Sequence, residues 1–532
     1  MEVSVIGRST SCSSSSANKI VRSKLGFCDL KPRILPAKNR LFFGWKRQRC
    51  SKAGIRLVLK TSIRSEAVNS ETVRPCGAGS RSTSGVKLFV GFPLDAVSDG
   101  KTINNSRAIA AGIKALKMLG LEGVELPIWW GVVEKEAMGS YEWSSYRALV
   151  EMVAKVGLKL RVSLCFHASR QPQIPLPEWV MQIGETQPAI FFKDRSGQQY
   201  KDCISLAVDD LPVLNGKSPI QVYQQFCESF NSAFSDFMGS TIMDVSMSLG
   251  PNGELRYPSY PAKSSQSFSV GEFQCYDENM LAILKQYAEA SGNPYWGLSG
   301  PHDTPNYDQS PMASNFFREH GGSWETPYGN FFLSWYSSQL VSHGDRLLSL
   351  ASSVFSDTSV ILSGKIPLMH SWYKTRSHPS ELTAGIYNTI NCNGYEAIAE
   401  MFARNSCKMI VPGLDLSDES QPQESLSSPE LLLAQIKQAC RKHGVEVCGQ
   451  NTLVSGDPRG LEQIKKNLVN DNEGLNSFTF QRMGAEFFSP QYFPSFTKLV
   501  TSLDQPELGS DDLKGTESLR SMRRLNFGLQ KS

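Results

Sequence analysis

The sequence predicts an α/β protein that folds as a single parallel (β/α)8 barrel of the TIM type with long loop insertions. Short apolar runs rich in valine, isoleucine and leucine recur along the chain, and segments of helical periodicity separate most of them. This alternation continues over about 400 residues. Length alone would suggest two to four domains. One barrel nevertheless explains the alternation better than two doubly wound domains do.

The first strand and helix illustrate the pattern. KLFVGFPL at 87–94 predicts a strand, and the segment that follows places Ile109, Ile113 and Leu116 at helical spacing before Gly120, a residue typical of helix ends. Seven further strands are predicted at 123–130, 158–166, 242–250, 360–366, 383–388, 407–414 and 445–449. Helices are predicted near 144–156, 218–238, 276–291, 331–355, 394–404 and 429–443. Together these elements place the barrel at 86–500.

The N-terminal region is basic and rich in serine. Residues 1–64 contain fifteen Lys and Arg but only two acidic residues, Glu2 and Asp29, and no apolar stretch long enough for a secretory signal. Residues 1–80 are therefore predicted to be a disordered transit segment for an organelle, with the chloroplast stroma as the favoured address. A basic N-terminal arm with no targeting role is the alternative.

The rest of the chain excludes several functional classes. Beyond residue 64 there are 40 basic and 49 acidic residues, so no electrostatic case for nucleic-acid binding remains. No run approaches the ~18 apolar residues of a membrane span. Twelve cysteines occur without CxxC pairs or zinc-type spacing, which predicts buried thiols and neither a metal nor a cofactor. The polar segment 503–532 is predicted to be a disordered tail.

Polar residues follow several predicted strands. In a parallel barrel the carboxyl ends of all strands meet at one mouth. We therefore expect this mouth to hold His167, Glu254, Lys365, Gln450 and Arg482. Aromatic residues are expected near the same rim: Trp129, Trp130, Tyr257, Tyr260, Trp372 and Tyr373. Rings and hydrogen-bonding groups suit a neutral sugar, although core packing is the alternative explanation for the Trp129–Trp130 pair.

Two segments resemble a known enzyme family. LGPNGELRYPSYP at 249–261 and GEFQCYD at 271–277 are similar to the acid-bearing segment of the plant β-amylases, glycoside hydrolase family 14. Similarity continues through the segments 128–134, 331–348, 370–388 and 449–453 and spans roughly residues 86–500. The resemblance implies a β/α barrel that releases maltose from α-1,4-glucans with inversion.

An inverting mechanism needs an acid and a base. The resemblance implies that Glu254 is the proton donor, and its neighbours Leu255, Tyr257 and Pro258 are expected to raise its pKa. The general base of the family is the Glu of a GEN triplet, whereas this chain has Gln450 in GQN. An amide keeps the size and hydrogen bonding of a carboxylate but cannot deprotonate water.

Other family positions are also altered. Pro127 stands where the family has an Asp that grips the outermost glucose, and Pro412 stands at a Thr of the inner loop. The segment 166–179 is shorter than the family's mobile lid and lacks its glycines and terminal Asp. The resemblance implies retained substrate-binding residues at His167, Lys365, His370, Asn451, Thr452 and Arg482.

Two functions are consistent with these residues. The first is a plastid β-amylase-like protein of starch breakdown with little or no hydrolase activity, which binds α-1,4-glucan, an active plastid β-amylase or another starch-metabolism protein as a regulator. The alternative is an active maltose-releasing β-amylase in which Asp415 or Asp418 replaces the missing base.

Overall fold

The computed structural model describes residues 86–260, 270–307, 309–452, 458–469 and 475–503. The predicted transit segment at 1–80 and residues 504–532 of the predicted tail lie outside the described residues. Eight parallel strands close into a barrel in which each strand pairs with the next along the chain and the last pairs with the first. The predicted fold is therefore confirmed. Within the described ranges, no helix has the length and apolar character needed to cross a bilayer.

The barrel strands and the surrounding helices alternate along the chain. The strands are β1 Lys87–Gly91, β2 Gly123–Trp129, β3 Lys159–Cys165, β4 Ile242–Met247, β5 Ile361–Lys365, β6 Lys408–Val411, β7 Val447–Gln450 and β8 Leu475–Phe480. The helices are α1 Ser106–Leu119, α2 Ser144–Val156, α3 Glu178–Thr186, α4 Pro219–Ala233, α5 Glu278–Ala290, α6 Pro327–Val354, α7 Gly394–Arg404, α8 Pro429–His443, α9 Pro458–Val469 and α10 Phe493–Leu503. Trp130–Val133 and Pro379–Thr383 are short helices, and two hairpins pair Ser169–Arg170 with Gln173–Ile174 and Phe191–Lys193 with Gln199–Ile204.

Seven of the eight predicted strands are barrel strands. The prediction at 383–388 is wrong, because this segment completes a short helix and then turns at Gly385. Gly385 has φ +95°, and an added Cβ would lie 2.5 Å from the Tyr257 ring, so the chain bends here where only glycine fits. The eighth barrel strand is instead β8, which closes the barrel against β1 with Lys87 opposite Ser477.

Local sequence explains several element boundaries. Helix α1 ends at Gly120, which has φ 91° and donates its backbone N–H to the carbonyls of the last turn. Helix α4 begins with a capping box, because the Ser218 side chain accepts from the Gln221 N–H and the Gln221 side chain accepts from the Ser218 N–H. These ends fix where the helices return the chain to the barrel.

A charged residue fills the barrel interior beneath the mouth. Arg161 on β3 donates to Ser477 Oγ at 2.6 Å and Thr479 Oγ1 at 3.0 Å on β8, and its guanidinium lies 4.1 Å from the centre of the Phe89 ring. Its Nε is 3.9 Å from the buried Asp244 carboxylate on β4. These contacts connect β3 across the barrel interior with β8 and with the neighbouring strand β4.

Candidate functional site

A cavity of about 950 Å³ opens at the carboxyl ends of the barrel strands. This volume falls within the range of small-molecule sites. The predicted positions that line the cavity are Pro127, His167, Lys365, Gln450, Asn451, Thr452 and Arg482. Residues not predicted from the sequence also line it, among them Glu125, Ser163, Arg170, Asp202, Arg256 and Gln481. The barrel thus brings most of the predicted site residues together in one mouth.

Glu254 lies in a tight turn that follows β4. The turn requires glycine at 250, where φ is +151° and an added Cβ would meet the Glu254 carbonyl oxygen at 2.7 Å. Lys365 Nζ lies 3.2 Å from Glu254 Oε1, and Arg256 Nε lies 2.8 Å from Oε2. The cavity lining includes Arg256 and Lys365 but not Glu254. Two cations therefore enclose the carboxylate of the predicted proton donor.

The expected rise in the Glu254 pKa is wrong. Burial raises the pKa of this carboxyl, but the charges and hydrogen bonds of Lys365 and Arg256 outweigh burial and hold the pKa below its ordinary value. The apolar neighbours in the sequence were a poor guide because the two cations reach the carboxylate directly. Glu254 is thus ionised near neutral pH, whereas a general acid must carry a proton.

Gln450 ends β7 and is buried, 5 % exposed. Gly449 before it packs so closely that an added Cβ would lie 2.3 Å from a Leu414 methyl group, so the strand comes near its neighbour only with glycine there. The Gln450 Nε2 group donates to Glu125 Oε2 at 3.3 Å. The side chain in the predicted base position is therefore bonded to a carboxylate from β2.

The two candidate replacement bases lie elsewhere. Asp415 accepts from the backbone N–H of Thr452 at 2.8 Å and from the Thr452 hydroxyl at 2.6 Å. Asp418 accepts from Ser428 Oγ at 2.6 Å and from the Glu430 N–H at 3.1 Å, and so caps helix α8. Among the described residues that line the cavity, neither aspartate is present. The structure gives no support to either as a substitute base.

Hydrogen-bonding and aromatic groups line the rest of the mouth. His167 Nδ1 donates to the Ala168 carbonyl at 3.0 Å, and burial lowers the pKa of its ring to about 4, so the ring is neutral at physiological pH. Trp129 meets the His167 ring edge-on at 5.2 Å. The Asn451 amide and the Gln481 backbone exchange two hydrogen bonds, of 2.7 and 3.0 Å. Asn451 therefore fixes the segment that carries Arg482.

A short hairpin occupies the position of the family's lid. Its strands Ser169–Arg170 and Gln173–Ile174 follow His167, and Ser169, Arg170 and Gln171 line the cavity. Arg170 forms an ion pair with Asp202, and its guanidinium lies 5.5 Å from the Tyr200 ring centre. These contacts tie the hairpin to the neighbouring hairpin and make it a wall of the mouth.

Some predicted positions fall outside this cavity. His370 is not part of its described lining; its Nδ1 contacts Ser427 Oγ at 2.6 Å. Pro412 directly follows the last residue of β6 and is buried. Of the aromatics, Trp129 and Tyr260 line the mouth, whereas Trp130 packs in the core between other rings. Tyr257 is also in the core, stacked 3.8 Å from Tyr336.

Sequence reasoning missed Glu125, which is the most informative residue of the mouth. Its signal was an acidic residue inside an apolar strand, two positions before Pro127 and therefore on the same face. Gln481 was also missed, although it precedes the predicted Arg482. The closed barrel brings both residues to the same cavity, and their positions in the sequence do not indicate this.

A (β/α)8 barrel with a polar mouth of this size, a carboxyl between cations, and aromatic rings defines a protein of the glycoside hydrolase type. The chain belongs to glycosyl hydrolase family 14, whose family model matches residues 89–504. It is 55% identical over 521 residues to Inactive beta-amylase 9 of Arabidopsis thaliana, covering 96% of this chain and 95% of that protein.

Active and inactive relatives are both similar to this chain. Beta-amylase 1, chloroplastic, of Arabidopsis thaliana is 40% identical over 82% of this chain and 78% of its own length. Inactive beta-amylase 4, chloroplastic, of the same organism is 36% identical over 79% and 82%. The solved catalytic domain of β-amylase from Paenibacillus polymyxa superposes with a TM-score of 0.66 at 25% identity, covering 80% of this chain and all of that domain.

Proposed function

We propose that this chain is a β-amylase-like protein that has lost hydrolysis and acts by binding. The observation that carries the proposal is the amide of Gln450, which occupies the predicted base position and donates to Glu125. Loss of a general base costs about 100- to 10,000-fold in rate. The ion pairs of Glu254 add to this loss, because they favour the ionised form of the predicted acid. The 55% identity to a relative named inactive supports the same conclusion.

The proposed ligand is an α-1,4-glucan or maltose. The mouth keeps an open volume of about 950 Å³, with Trp129 and Tyr260 as ring surfaces and with Lys365 and Arg482 as donors. Sugars present an apolar face and a fringe of hydroxyl groups, which these side chains match. Asn451 and Thr452 are proposed to complete the glucan site, as the family resemblance implies.

The proposed role is regulatory. A barrel that binds glucan without cleaving it can regulate starch breakdown by holding substrate or by associating with an active plastid β-amylase or another starch-metabolism protein. The plastid stroma is the proposed compartment, supported by the basic, Ser-rich residues 1–64 and by relatives named chloroplastic.

Binding experiments with the full-length protein test this proposal. If the protein binds glucan, we expect a saturable calorimetric signal with maltotriose and co-sedimentation with starch granules. If it binds an active β-amylase, we expect that enzyme to retain it in a pull-down. Lys365→Met should abolish glucan binding, because it removes a donor from the mouth. Lys374→Met is the matched control, since that lysine pairs with Asp418 outside the cavity lining. Absence of both glucan and β-amylase binding by the wild type would contradict the binding role.

A further inference from the structure

Glu125 is a buried carboxylate at the centre of the barrel mouth. It lies on β2, is 6 % exposed, and lines the cavity. Glu125 Oε1 accepts from Ser163 Oγ at 2.8 Å, and Oε2 accepts from Gln481 Nε2 at 2.8 Å and from Gln450 Nε2 at 3.3 Å. The donors come from β3, from the residue after β8, and from β7. One carboxylate thus connects four of the five neighbouring wall segments β7, β8, β1, β2 and β3, with β1 as the one that it does not bond.

The position of Glu125 on its strand relates it to the altered site. Glu125 and Pro127 are two residues apart, so their side chains project from the same face of β2. At about 3.3 Å per residue, Glu125 lies about 6.6 Å below position 127, measured along the strand. The mouth therefore has a carboxylate on β2 that lies deeper than position 127. The Gln450 amide, in the predicted base position, donates to this carboxylate.

We propose that Glu125 is a positioning residue that holds the Gln450 amide and makes a carboxylate at 450 unfavourable. The pair tolerates one negative charge, because Gln450 must donate to Glu125 while Ser163 and Gln481 donate to the same group. A Glu at 450 would place a second carboxylate at hydrogen-bond distance from the first, and two such groups cannot both be ionised without a large free-energy cost. The identities of residues 125 and 450 are thus coupled through this hydrogen bond. This inference extends the proposed loss of hydrolysis. Its test measures thermal unfolding, so the result does not depend on whether the protein hydrolyses starch.

Arg482, Cys165 and His167 near Glu125 each keep one protonation state between pH 5 and 8, whereas burial raises the pKa of Asp244. Arg482 after β8 is cationic throughout this range, and its charge interacts favourably with Glu125. Burial raises the pKa of the Cys165 thiol on β3 to about 12, and burial lowers the pKa of His167 to about 4, so both are neutral. Asp244 on β4 accepts from Ser363 Oγ at 2.6 Å and is common to every variant compared below.

The test is a double-mutant cycle on thermal unfolding of the full-length protein. The four proteins are the wild type, Gln450→Glu, Glu125→Gln and the double variant. In Gln450→Glu one carboxyl of the pair acquires a raised pKa in the folded state. Such a group stabilises the fold only while protonated, so stability is kept at low pH and lost as pH rises through that pKa. We expect its melting temperature, relative to wild type, to be lower at pH 8 than at pH 5 by about 2 °C or more.

The double variant exchanges the acid and the amide between the two positions. It restores a single carboxylate with an amide donor, so its dependence on pH should return to that of the wild type. If Gln450→Glu does not fold at pH 8, folding of the double variant at that pH still supports the coupling. Failure of both to fold would overturn the proposal.

Gln224→Glu is the matched control for introducing a carboxylate beside an existing one. Gln224 on α4 donates to Glu228 at 2.8 Å, but this pair is exposed to solvent. Because water screens exposed charges, its melting temperature should change little with pH relative to wild type. The proposal is overturned if Gln450→Glu follows the wild-type pH profile as closely as this control does. Hydrolysis of starch by the wild type would contradict the proposed function but would leave this coupling unaffected.

Discussion

Glu254 occupies surroundings that favour its charged form. Lys365 and Arg256 contact one carboxylate oxygen each, and the side chains of the three residues are 11–25% exposed. The protein therefore gains stability from ionised Glu254, whereas hydrolysis would require it to be protonated before the leaving group departs. Glu254 is thus held in its ionised form, and Gln450 in the predicted base position is an amide that cannot take up a proton.

We expect Glu254→Gln to destabilise the protein by about 2 to 3 kcal/mol at pH 7, because it leaves two partly buried cations without their carboxylate. The folded-state pKa of Glu254 is lowered, so its stabilising contribution is present above the ordinary pKa of 4.5 and is lost as pH falls through the lower folded value. The stability difference between wild type and variant, measured by urea unfolding, should therefore shrink below about pH 4.

Glu151→Gln is the control for this prediction. Glu151 pairs with Arg147 at 3.2 Å on the surface, where an ion pair contributes about 1 kcal/mol or less. A loss of stability in Glu254→Gln no larger than in this control would show that the enclosed ion pairs do not stabilise the fold.

Helix α5 carries an ionisable cap at its N-terminus. Asp277 accepts from the Met280 N–H at 2.9 Å and is fully buried, and burial raises its pKa to about 6. A raised folded-state pKa means that the stabilising contribution is full below the ordinary pKa of 3.8 and is lost as pH rises through about 6.

The change in the free energy of unfolding caused by Asp277→Asn should therefore be more stabilising at pH 8 than at pH 4, by about 1 to 3 kcal/mol. Asparagine keeps the capping acceptor, since Asn and Asp are similar N-cap residues. Denaturant unfolding at the two pH values measures the difference. If the substitution changes the free energy of unfolding equally at pH 4 and pH 8, the pKa of Asp277 is not raised in the folded protein.

Arg170 links the hairpin at 169–174 to Asp202 and Tyr200 of the neighbouring hairpin. We expect Arg170→Gln to increase amide hydrogen exchange in the hairpin by several-fold, because it removes the Asp202 ion pair and the contact with Tyr200, each worth about 0.5 to 1 kcal/mol. Arg147→Gln is the control, since Arg147 also contacts a carboxylate and an aromatic ring but lies on α2. Unchanged exchange at 169–174 would mean that other contacts fix this wall.

Strands with continuous apolar runs could be predicted from the sequence, and β8 could not. Asn476, Ser477 and Thr479 interrupt its pattern because the interior-facing Ser477 and Thr479 bind Arg161. The run at 383–388 is buried for a different reason, since it contains a turn at Gly385 that packs against the Tyr257 ring. Apolar content reports burial, and burial alone does not distinguish a barrel strand from a covered loop.

The site was predictable where a polar residue ends a strand or comes two residues after its end. His167, Lys365, Gln450 and Arg482 all line the cavity for this reason. Glu125 could not be assigned in the same way, because it lies within a strand and its partners are 38 to 356 residues away in sequence. The charge environment of Glu254 also needed the structure, since Lys365 comes from a different strand.

In the molecule as a whole, a (β/α)8 barrel of glycosyl hydrolase family 14 has a cavity at its mouth with an amide at the predicted base position. The amide at 450, the carboxylate at 125 and the proline at 127 lie in one mouth, and Glu254 is enclosed by cations next to it. The buried apolar core supports the barrel around this mouth. This combination fits a protein selected to bind.

The mouth of this barrel is expected not to hydrolyse glucan, because an amide occupies the predicted base position. The decisive measurement is reducing-sugar release from soluble starch by the purified full-length protein, with Beta-amylase 1 of Arabidopsis thaliana as the active reference. We predict release at the level of the enzyme-free blank across pH 5 to 8. Maltose release at a rate comparable to the reference, abolished by Glu254→Gln, would contradict the account.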